Sequence, residues 1–213
     1  RHSSELLSGG QCVPGGGRLS LVLVIVTGSI GSRRARLLAE MGHDTVVYDA
    51  DTDQAVALYH ALDRKVRASI GGNVWTGTGE GYDAVLICTP ATTHVDIARE
   101  AVANGVRGLF IEKPLSVSMD GIPELIAECE ARGVVTMGAC NMRWQVGRVQ
   151  QTNKVSVVDS RPLPQWRPGA EQSYRENGGI WECGLHWLDV VASIIGPLDR
   201  GWASGDGEDF ATL

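Results

Sequence analysis

Lys113 is the residue whose surroundings most directly indicate chemistry. It lies in "IEKP", Ile111–Pro114, directly after an apolar run and before a proline. A desolvated ammonium group at the end of a buried strand donates a hydrogen bond to a substrate hydroxyl and polarises the reacting carbon. Pro114 fixes the turn, and an X–Pro bond is the kind of peptide bond that adopts the cis form. The alternative is a surface ion pair between Lys113 and Glu112.

The glycine turn "VTGSIGS", Val26–Ser32, is the second candidate. It supplies the second and third glycines of the dinucleotide fingerprint G-x-G-x-x-G, but Val26 stands where the first should be. A β-branched residue disfavours positive φ, so we expect strand geometry to continue through Val26. Backbone N–H groups at such a helix start bind phosphate, and an ordinary strand-to-helix turn is the alternative. The residues predicted to bind the cofactor here are Gly28, Ser29, Ile30 and Gly31.

Asp49 ends the next predicted strand, about twenty residues beyond the glycine turn, where a carboxylate accepts the ribose hydroxyls of NAD. The alternative is a strand-end residue or a helix cap. Asp51 and Asp53 lie in the same loop and would repel a 2′-phosphate, which favours NAD over NADP. Arg33 and Arg34, beside the glycine turn, weaken that preference.

The stretch "ICTPATTH", Ile87–His94, follows another apolar run. Open parallel sheets bind ligands at the carboxyl ends of their strands, so Thr89 and Pro90 are predicted to contact the nicotinamide ribose. Thr92 is predicted to cap the following helix. His94 is a candidate cofactor contact, but the favoured interpretation is a solvated histidine in the first helical turn.

Short apolar runs alternate with helical patterns between residues 19 and 138, which predicts an α/β fold with a doubly wound parallel sheet of Rossmann type. Residues 63–80 leave room for one further strand. The first helix is expected to face the sheet with Ile30, Leu37, Leu38 and Met41. Strands are predicted at Leu19–Val26, Thr45–Ala50, Asp83–Thr89, Gly108–Glu112 and Val134–Gly138, and helices at Ser29–Met41, Thr52–Leu62, Thr92–Asn104 and Ser118–Arg132.

The pattern changes after Asn141. A strand at Val155–Asp159 and an apolar helix at Cys183–Ile195 flank a long loop, Ser160–Gly179, rich in Pro, Gly, Trp and Arg. Long loops of this kind are more often functional than not. The predicted domains are a disordered extension (1–18), an NAD(P)-binding Rossmann domain (19–140) and a partial α+β substrate domain (141–213).

The composition excludes several classes of protein. A net charge of −6 and a pI of about 5.4 predict no general attraction to nucleic acid or to an anionic membrane. The five cysteines are odd in number and lack C-x-x-C spacing, which argues against a zinc ribbon, a metal site or a disulfide framework and favours the cytoplasm. The apolar run at Leu19–Val26 is too short to span a bilayer.

Six elements together carry a resemblance to the glucose–fructose oxidoreductase / inositol dehydrogenase / MocA (Gfo/Idh/MocA) family. They are "GSIGSR", "YDAD", "YDAVLICTPATTHVDIAREAV", "GLFIEKPLS", "GACNMRW" and "GGIWECGLHWLDVVASIIGP", in order between Leu21 and Pro197. The resemblance implies an NAD(P)-dependent oxidoreductase that moves a hydride between nicotinamide and a sugar, sugar nucleotide or cyclitol. The long loop resembles that of a branch of the family found in surface-polysaccharide and nonulosonic-acid sugar pathways.

The resemblance assigns His186 as the acid/base that removes or returns the hydroxyl proton, and Lys113 as the donor to that hydroxyl. Glu182 stands where the family has an aspartate. On a helix Glu182, His186 and Asp189 lie one turn apart, so a carboxylate would orient the histidine ring. By itself, His186 is more typical of a helix histidine packed among Trp and Leu.

Further contacts follow from the same resemblance. Glu112 and Asn141 are expected near the cofactor, and Arg143 and Asp189 near the substrate. Trp166 and Arg167 in the long loop are predicted to cover the sugar by stacking and to hold an anionic group.

Three features depart from the family pattern: Val26 in the glycine turn, a short segment between Arg143 and Val155, and the end of the chain at Leu213. Family members continue through further strands that form a substrate-domain sheet and often a homo-oligomer interface. A fragment, a truncated product and a degenerate relative remain open. So do two other functions, a non-catalytic nucleotide-binding or assembly protein and another Rossmann enzyme such as a methyltransferase.

Overall fold

The computed structural model describes residues 20–25, 28–71, 73–75, 81–144 and 185–195. The strands are β1 Leu21–Ile25, β2 Asp44–Tyr48, β3 Arg67–Ser69, β4 Ala84–Ile87, β5 Gly108–Ile111 and β6 Val135–Gly138. The helices are α1 Ser29–Glu40, α2 Thr52–Ala61, α3 His94–Ala103, α4 Ile122–Arg132 and α5 Leu185–Ile195, with 3-10 turns at Ala91–Thr93 and Asn141–Trp144. Among these residues no helix is both long enough and apolar enough to cross a membrane.

The six strands form one parallel sheet in the order β3-β2-β1-β4-β5-β6. The chain therefore winds outward from β1 in both directions, which creates a topological switch point between β1 and β4. This arrangement confirms the predicted Rossmann-type fold. The further strand for which residues 63–80 left room is β3, at Arg67–Ser69.

Apolar side chains cover both faces of the sheet because successive residues of a strand point to opposite sides. Leu23 and Ile25 of β1 belong to the cluster under α3 and α4. Val22 and Val24 belong to the cluster under α1 and α2. Double-sided burial explains why these strands have no polar alternation in the sequence. The edge strand β6 is an exception, since its four residues are exposed.

Helix α1 contacts the sheet through a different set of residues from the predicted one. Its buried residues are Gly31 and Ala35, and Leu38 packs partly buried one turn later. The small size of Gly31 and Ala35 lets the helix approach β1 closely. The expectation was wrong for three of the four large residues, which are 42%, 43% and 70% exposed: Ile30, Leu37 and Met41.

Two helices begin later than predicted. Helix α4 starts at Ile122 rather than Ser118, because Gly121 adopts a left-handed conformation with φ of 73° directly before it. Helix α3 follows a 3-10 turn, and its N-cap residue is Thr93 rather than the predicted Thr92.

The chain divides into two compact units, Arg1–Gly138 and Ala139–Leu213. The described part of the second unit contains the 3-10 turn at Asn141–Trp144 and helix α5, which lies within the predicted helix Cys183–Ile195. The predicted N-terminal extension, the strand at Val155–Asp159 and the loop at Ser160–Gly179 lie outside the described residues. The predicted domain boundaries stay predictions.

Candidate active site

Four predicted site segments leave the sheet at the same edge. Strands β1, β2, β4 and β5 end in register at Ile25, Tyr48, Ile87 and Ile111. One to three residues beyond those positions lie Gly28, Asp49, Thr89 and Lys113. Since all these strands are parallel, their carboxyl ends form one edge, beside the switch point where such sheets bind ligands.

The glycine turn presents the start of α1 to this edge. Gly28 is exposed and is the N-cap residue, with φ of −55° and ψ of −176°. The N–H of Ser32 donates to the Gly28 carbonyl at 2.8 Å, which begins the helical bonding. Within the described part of the chain no side chain caps α1 and its first turn holds no acidic residue. The N–H groups of Ser29 and Ile30 are therefore suited to a phosphate. Val26 lies outside the described residues.

Asp49 is half-buried directly after β2. Its Oδ1 accepts the Asp51 N–H at 3.0 Å, and Asp51 Oδ1 in turn accepts the Asp53 N–H at 3.1 Å. The helix cap of α2 is therefore Asp51. Asp49 is therefore a residue at the end of β2 and not the helix cap, and its role toward the ribose of NAD stays a prediction.

Arg34 of α1 is tied to Glu112. Its Nε and Nη2 donate to Glu112 Oε1 at 3.2 and 2.9 Å, and its guanidinium lies 4.8 Å from the centre of the Phe110 ring. The two charged side chains are 25% and 14% exposed, so the pair is largely shielded from water. Arg34 is thus committed to Glu112, which removes one of the two arginines that weakened the preference for NAD.

The same pair acts electrostatically on Cys88, which lies one residue beyond β4. Burial and, to a smaller extent, the Glu112 carboxylate raise the pKa of the Cys88 thiol, Arg34 opposes them, and the net pKa is about 12. A thiol with such a pKa stays protonated near neutral pH and is a poor nucleophile. Cys88 is therefore a packing residue.

His94 corrects the sequence interpretation most clearly. It is 1% exposed rather than solvated, because its ring turns inward from the first turn of α3. Nε2 lies 2.8 Å from the Thr89 carbonyl oxygen and Nδ1 lies 2.9 Å from the Pro114 carbonyl oxygen. The ring therefore joins the end of β4 to the turn that carries Lys113. That turn contains a cis peptide bond between Lys113 and Pro114.

In the second unit Arg143 and Asp189 bind each other. Arg143 Nε donates to Asp189 Oδ2 at 2.6 Å, and Nη2 donates to Oδ1. This bidentate pair joins the 3-10 turn to α5, so two predicted substrate residues lie together. His186 is half-buried on α5, three residues before Asp189.

Several other predicted residues can be placed individually. Lys113 and Thr89 are half-buried, whereas Pro90 and Asn141 are exposed. The positions predicted for Glu182, Trp166 and Arg167 lie outside the described residues. In the described ranges no group of three His, Cys, Asp or Glu side chains is arranged to hold a metal ion.

Sequence reasoning missed how two of these residues act. Arg34 was noted only for its charge, and His94 was placed in solvent. The signal for His94 was its spacing, since a first-turn residue five positions after Thr89 lies close to the strand end from which the chain has just turned.

Comparison with known proteins places these features in a family. Residues 21–139 match the model of the Gfo/Idh/MocA oxidoreductase family, described as an NAD-binding Rossmann fold. The chain is 32% identical over 186 residues to an inositol 2-dehydrogenase of Ralstonia nicotianae, covering 81% of this chain and 53% of the relative. It is 27% identical over 125 residues to a scyllo-inositol 2-dehydrogenase (NAD(+)) of Bacillus subtilis, covering 54% and 36%.

Solved structures show the same fold. A UDP-N-acetylglucosamine 3-dehydrogenase from Acidithiobacillus ferrooxidans superimposes with a TM-score of 0.64 at 22% identity, covering 84% of this chain and 58% of that one. GenD2 from gentamicin A biosynthesis, in complex with NAD, gives a TM-score of 0.51 at 28% identity and covers 62% and 38%.

The chain spans about half the length, or less, of the curated relatives it matches. The match to the family model nevertheless covers more than half of this chain. This protein therefore belongs to the Gfo/Idh/MocA family of oxidoreductases and contains its NAD-binding Rossmann fold.

Proposed function

We propose that this chain is the nicotinamide-binding part of a dehydrogenase that transfers a hydride between NAD and a hydroxyl or keto carbon of a sugar, sugar nucleotide or cyclitol. The observation that carries the proposal is the arrival of the glycine turn, Asp49, Thr89 and Lys113 at one edge of the sheet, beside its switch point. The dehydrogenases among its relatives support the same class of reaction.

The glycine turn and Asp49 fit a dinucleotide. The N–H groups between Gly28 and Gly31 would hold the pyrophosphate, and the Asp49 carboxylate would accept from the ribose hydroxyls. Thr89 and Pro90 would contact the nicotinamide ribose, and Asn141 is a further proposed cofactor contact. When bound, the cofactor supplies a nicotinamide C4 that accepts or returns a hydride.

NAD is favoured over NADP by the charges around Asp49. Asp51, the N-cap residue of α2, and Asp53, in the first turn of that helix, are exposed and would repel a 2′-phosphate. Arg34 cannot offset this repulsion while its guanidinium donates to Glu112. The exposed Arg33 is the remaining cation beside the turn.

Lys113 and His186 have different proposed roles toward the substrate hydroxyl. Lys113 donates a hydrogen bond that lowers the cost of negative charge on the oxygen, and His186 takes or returns the hydroxyl proton. Glu182 would hold the His186 ring in position. The Arg143–Asp189 pair, with Trp166 and Arg167, would line the substrate side. We also propose a cytoplasmic enzyme, active in surface-polysaccharide sugar synthesis and able to form a homo-oligomer.

Turnover tests this assignment directly. With NAD present, formation of NADH is followed at 340 nm, with myo-inositol, scyllo-inositol and UDP-N-acetylglucosamine as probes. We expect Lys113→Ala to lower kcat/KM by about 100-fold or more, since it removes an interaction with the reacting oxygen. Lys65→Ala is the matched control, because Lys65 is exposed beyond α2. Equal loss in both variants would contradict the role of Lys113, and NADH binding without turnover of any probe would favour a binding protein.

A further inference from the structure

We propose that His94 is a positioning residue that holds the turn carrying Lys113 against the end of β4. The inference rests on the proposed role of Lys113 and goes beyond it by naming the group that fixes its backbone. His94 itself contacts only backbone carbonyl groups in the hydrogen bonds described, so it acts through another residue.

Each ring nitrogen of His94 lies within hydrogen-bond distance of a backbone carbonyl oxygen. A ring nitrogen that carries a hydrogen donates to that oxygen, since carbonyl oxygens only accept. The two nitrogens point away from each other, and one ring therefore spans the gap between Thr89 and Pro114. A ring that is 1% exposed depends on these contacts, because an unsatisfied polar group is costly to bury.

The carbonyl groups of Thr89 and Pro114 follow two neighbouring strands, β4 and β5, in which Ile87 and Ile111 are register partners. Thr89 lies two residues beyond Ile87, and Lys113 lies two residues beyond Ile111. The Pro114 carbonyl is one residue past Lys113, so the bond to His94 fixes the backbone directly after the lysine. On the other side, Glu112 is held by Arg34.

Lys113 is thus flanked by two anchored residues, while its own side chain is long and flexible. Fixing the backbone at both neighbours fixes the point from which the Lys113 side chain extends and so limits where its ammonium group can move. An ordinary core histidine would stabilise the fold without this effect on Lys113. A positioning role and a purely structural role for His94 therefore predict different behaviour of Lys113.

The chain makes that difference measurable, because it has only three lysines: Lys65, Lys113 and Lys154. Reductive methylation with ¹³C-formaldehyde gives each lysine a dimethylamino resonance, and Lys113→Arg identifies that of Lys113. In His94→Gln, the amide nitrogen of the new side chain can donate to one carbonyl, but its oxygen cannot donate to the second. We therefore expect the Lys113 resonance to move or broaden in this variant. The Lys65 resonance stays in place. An unchanged Lys113 resonance would overturn the proposal.

Addition of NADH separates the inference from the proposed function. In the wild type we expect NADH to shift the Lys113 resonance. In His94→Gln this NADH-induced shift should be smaller by about threefold or more, while the Kd for NADH changes by less than about threefold. A wild type that binds no NADH sinks the proposed function, yet the comparison without NADH still decides the role of His94. An equal NADH-induced shift in both proteins contradicts positioning.

A measurement on the wild type covers the case in which His94→Gln does not fold. The ¹⁵N-edited spectrum of the histidine rings should show a slowly exchanging ring N–H proton for His94, assigned through His94→Asn or by through-bond correlation. Fast exchange of the His94 ring N–H with water would overturn the proposal by itself.

Discussion

The guanidinium of Arg34 donates two hydrogen bonds to Oε1 of Glu112, the residue before Lys113. Arg34 lies on the helix that begins at the glycine turn, so this pair ties the proposed phosphate site to the proposed catalytic lysine. A half-buried ion pair of this kind fixes geometry more surely than it adds stability. Its removal should nevertheless be measurable, because it leaves Glu112 poorly solvated.

We predict that Arg34→Ala destabilises the protein by about 1–3 kcal/mol, the usual cost of losing hydrogen bonds to a shielded charge. The lost contact with the Phe110 ring adds to that cost. Arg33→Ala, at the exposed neighbouring position, should change the free energy of unfolding by less than about 0.5 kcal/mol. Urea unfolding of the two variants tests the prediction, and equal effects would show that the pair contributes nothing measurable.

The raised pKa of Cys88 predicts a protected thiol. At pH 8.5 the folded chain should react with iodoacetamide at Cys88 at least about tenfold more slowly than the urea-unfolded chain, because the thiolate is the reactive form. Between about pH 9 and pH 12 the folded state keeps a proton that the unfolded state has lost, so stability should fall as pH rises. Peptide mass spectrometry follows the labelling. Similar rates in both states would contradict the burial of Cys88.

The bidentate pair between Arg143 and Asp189 should couple the 3-10 turn to α5. A double-mutant cycle with Arg143→Ala and Asp189→Ala is expected to give a coupling energy of about 1 kcal/mol. The i,i+4 pair between Glu128 and Arg132 on α4 is the comparison, and it should give about 0.3–0.5 kcal/mol. A smaller coupling for Arg143–Asp189 than for this surface pair would contradict the geometry described.

Gly121 and Gly133, the residues at the two ends of helix α4, allow a test of local packing. Both adopt left-handed backbone conformations, so alanine should cost about 1–2 kcal/mol at either position. At Gly133 a Cβ would meet nothing within 4 Å, whereas at Gly121 it would lie 3.3 Å from Val95 Cγ1 and from Arg99 Nη2. Gly121→Ala should therefore be the more destabilising change by thermal unfolding. Equal effects would show that conformation alone decides, and the reverse order would contradict the packing argument.

The sheet could be predicted from the sequence because doubly buried strands appear as continuous apolar runs, as at Leu21–Ile25. The inner face of α1 could not, since Gly31 and Ala35 make the contact through small size rather than hydrophobicity. The strand β3 is only three residues long and gives a weak pattern.

Within the candidate site, the residues that follow strands were predictable because parallel strands end at one edge. The partners of those residues were not. Glu112 binds an arginine 78 positions away, and His94 binds a carbonyl 20 positions away. Such pairs depend on how helices pack on the sheet, which residue spacing alone does not specify. The His94 interpretation was wrong for this reason.

Calorimetric titration with NADH tests the central claim most directly, using wild type, Asp49→Ala and Asp53→Ala. Removing a carboxylate that accepts from two hydroxyls should weaken NADH binding roughly 10–100-fold, the equivalent of about 1.5–3 kcal/mol. Asp53→Ala, in the first turn of the following helix α2, is the matched control and should change the Kd by less than about threefold. We predict measurable NADH binding by the wild type that is tighter than NADPH binding and is lost or strongly weakened in Asp49→Ala. No NADH binding by the wild type, or equal binding by Asp49→Ala, would contradict the account.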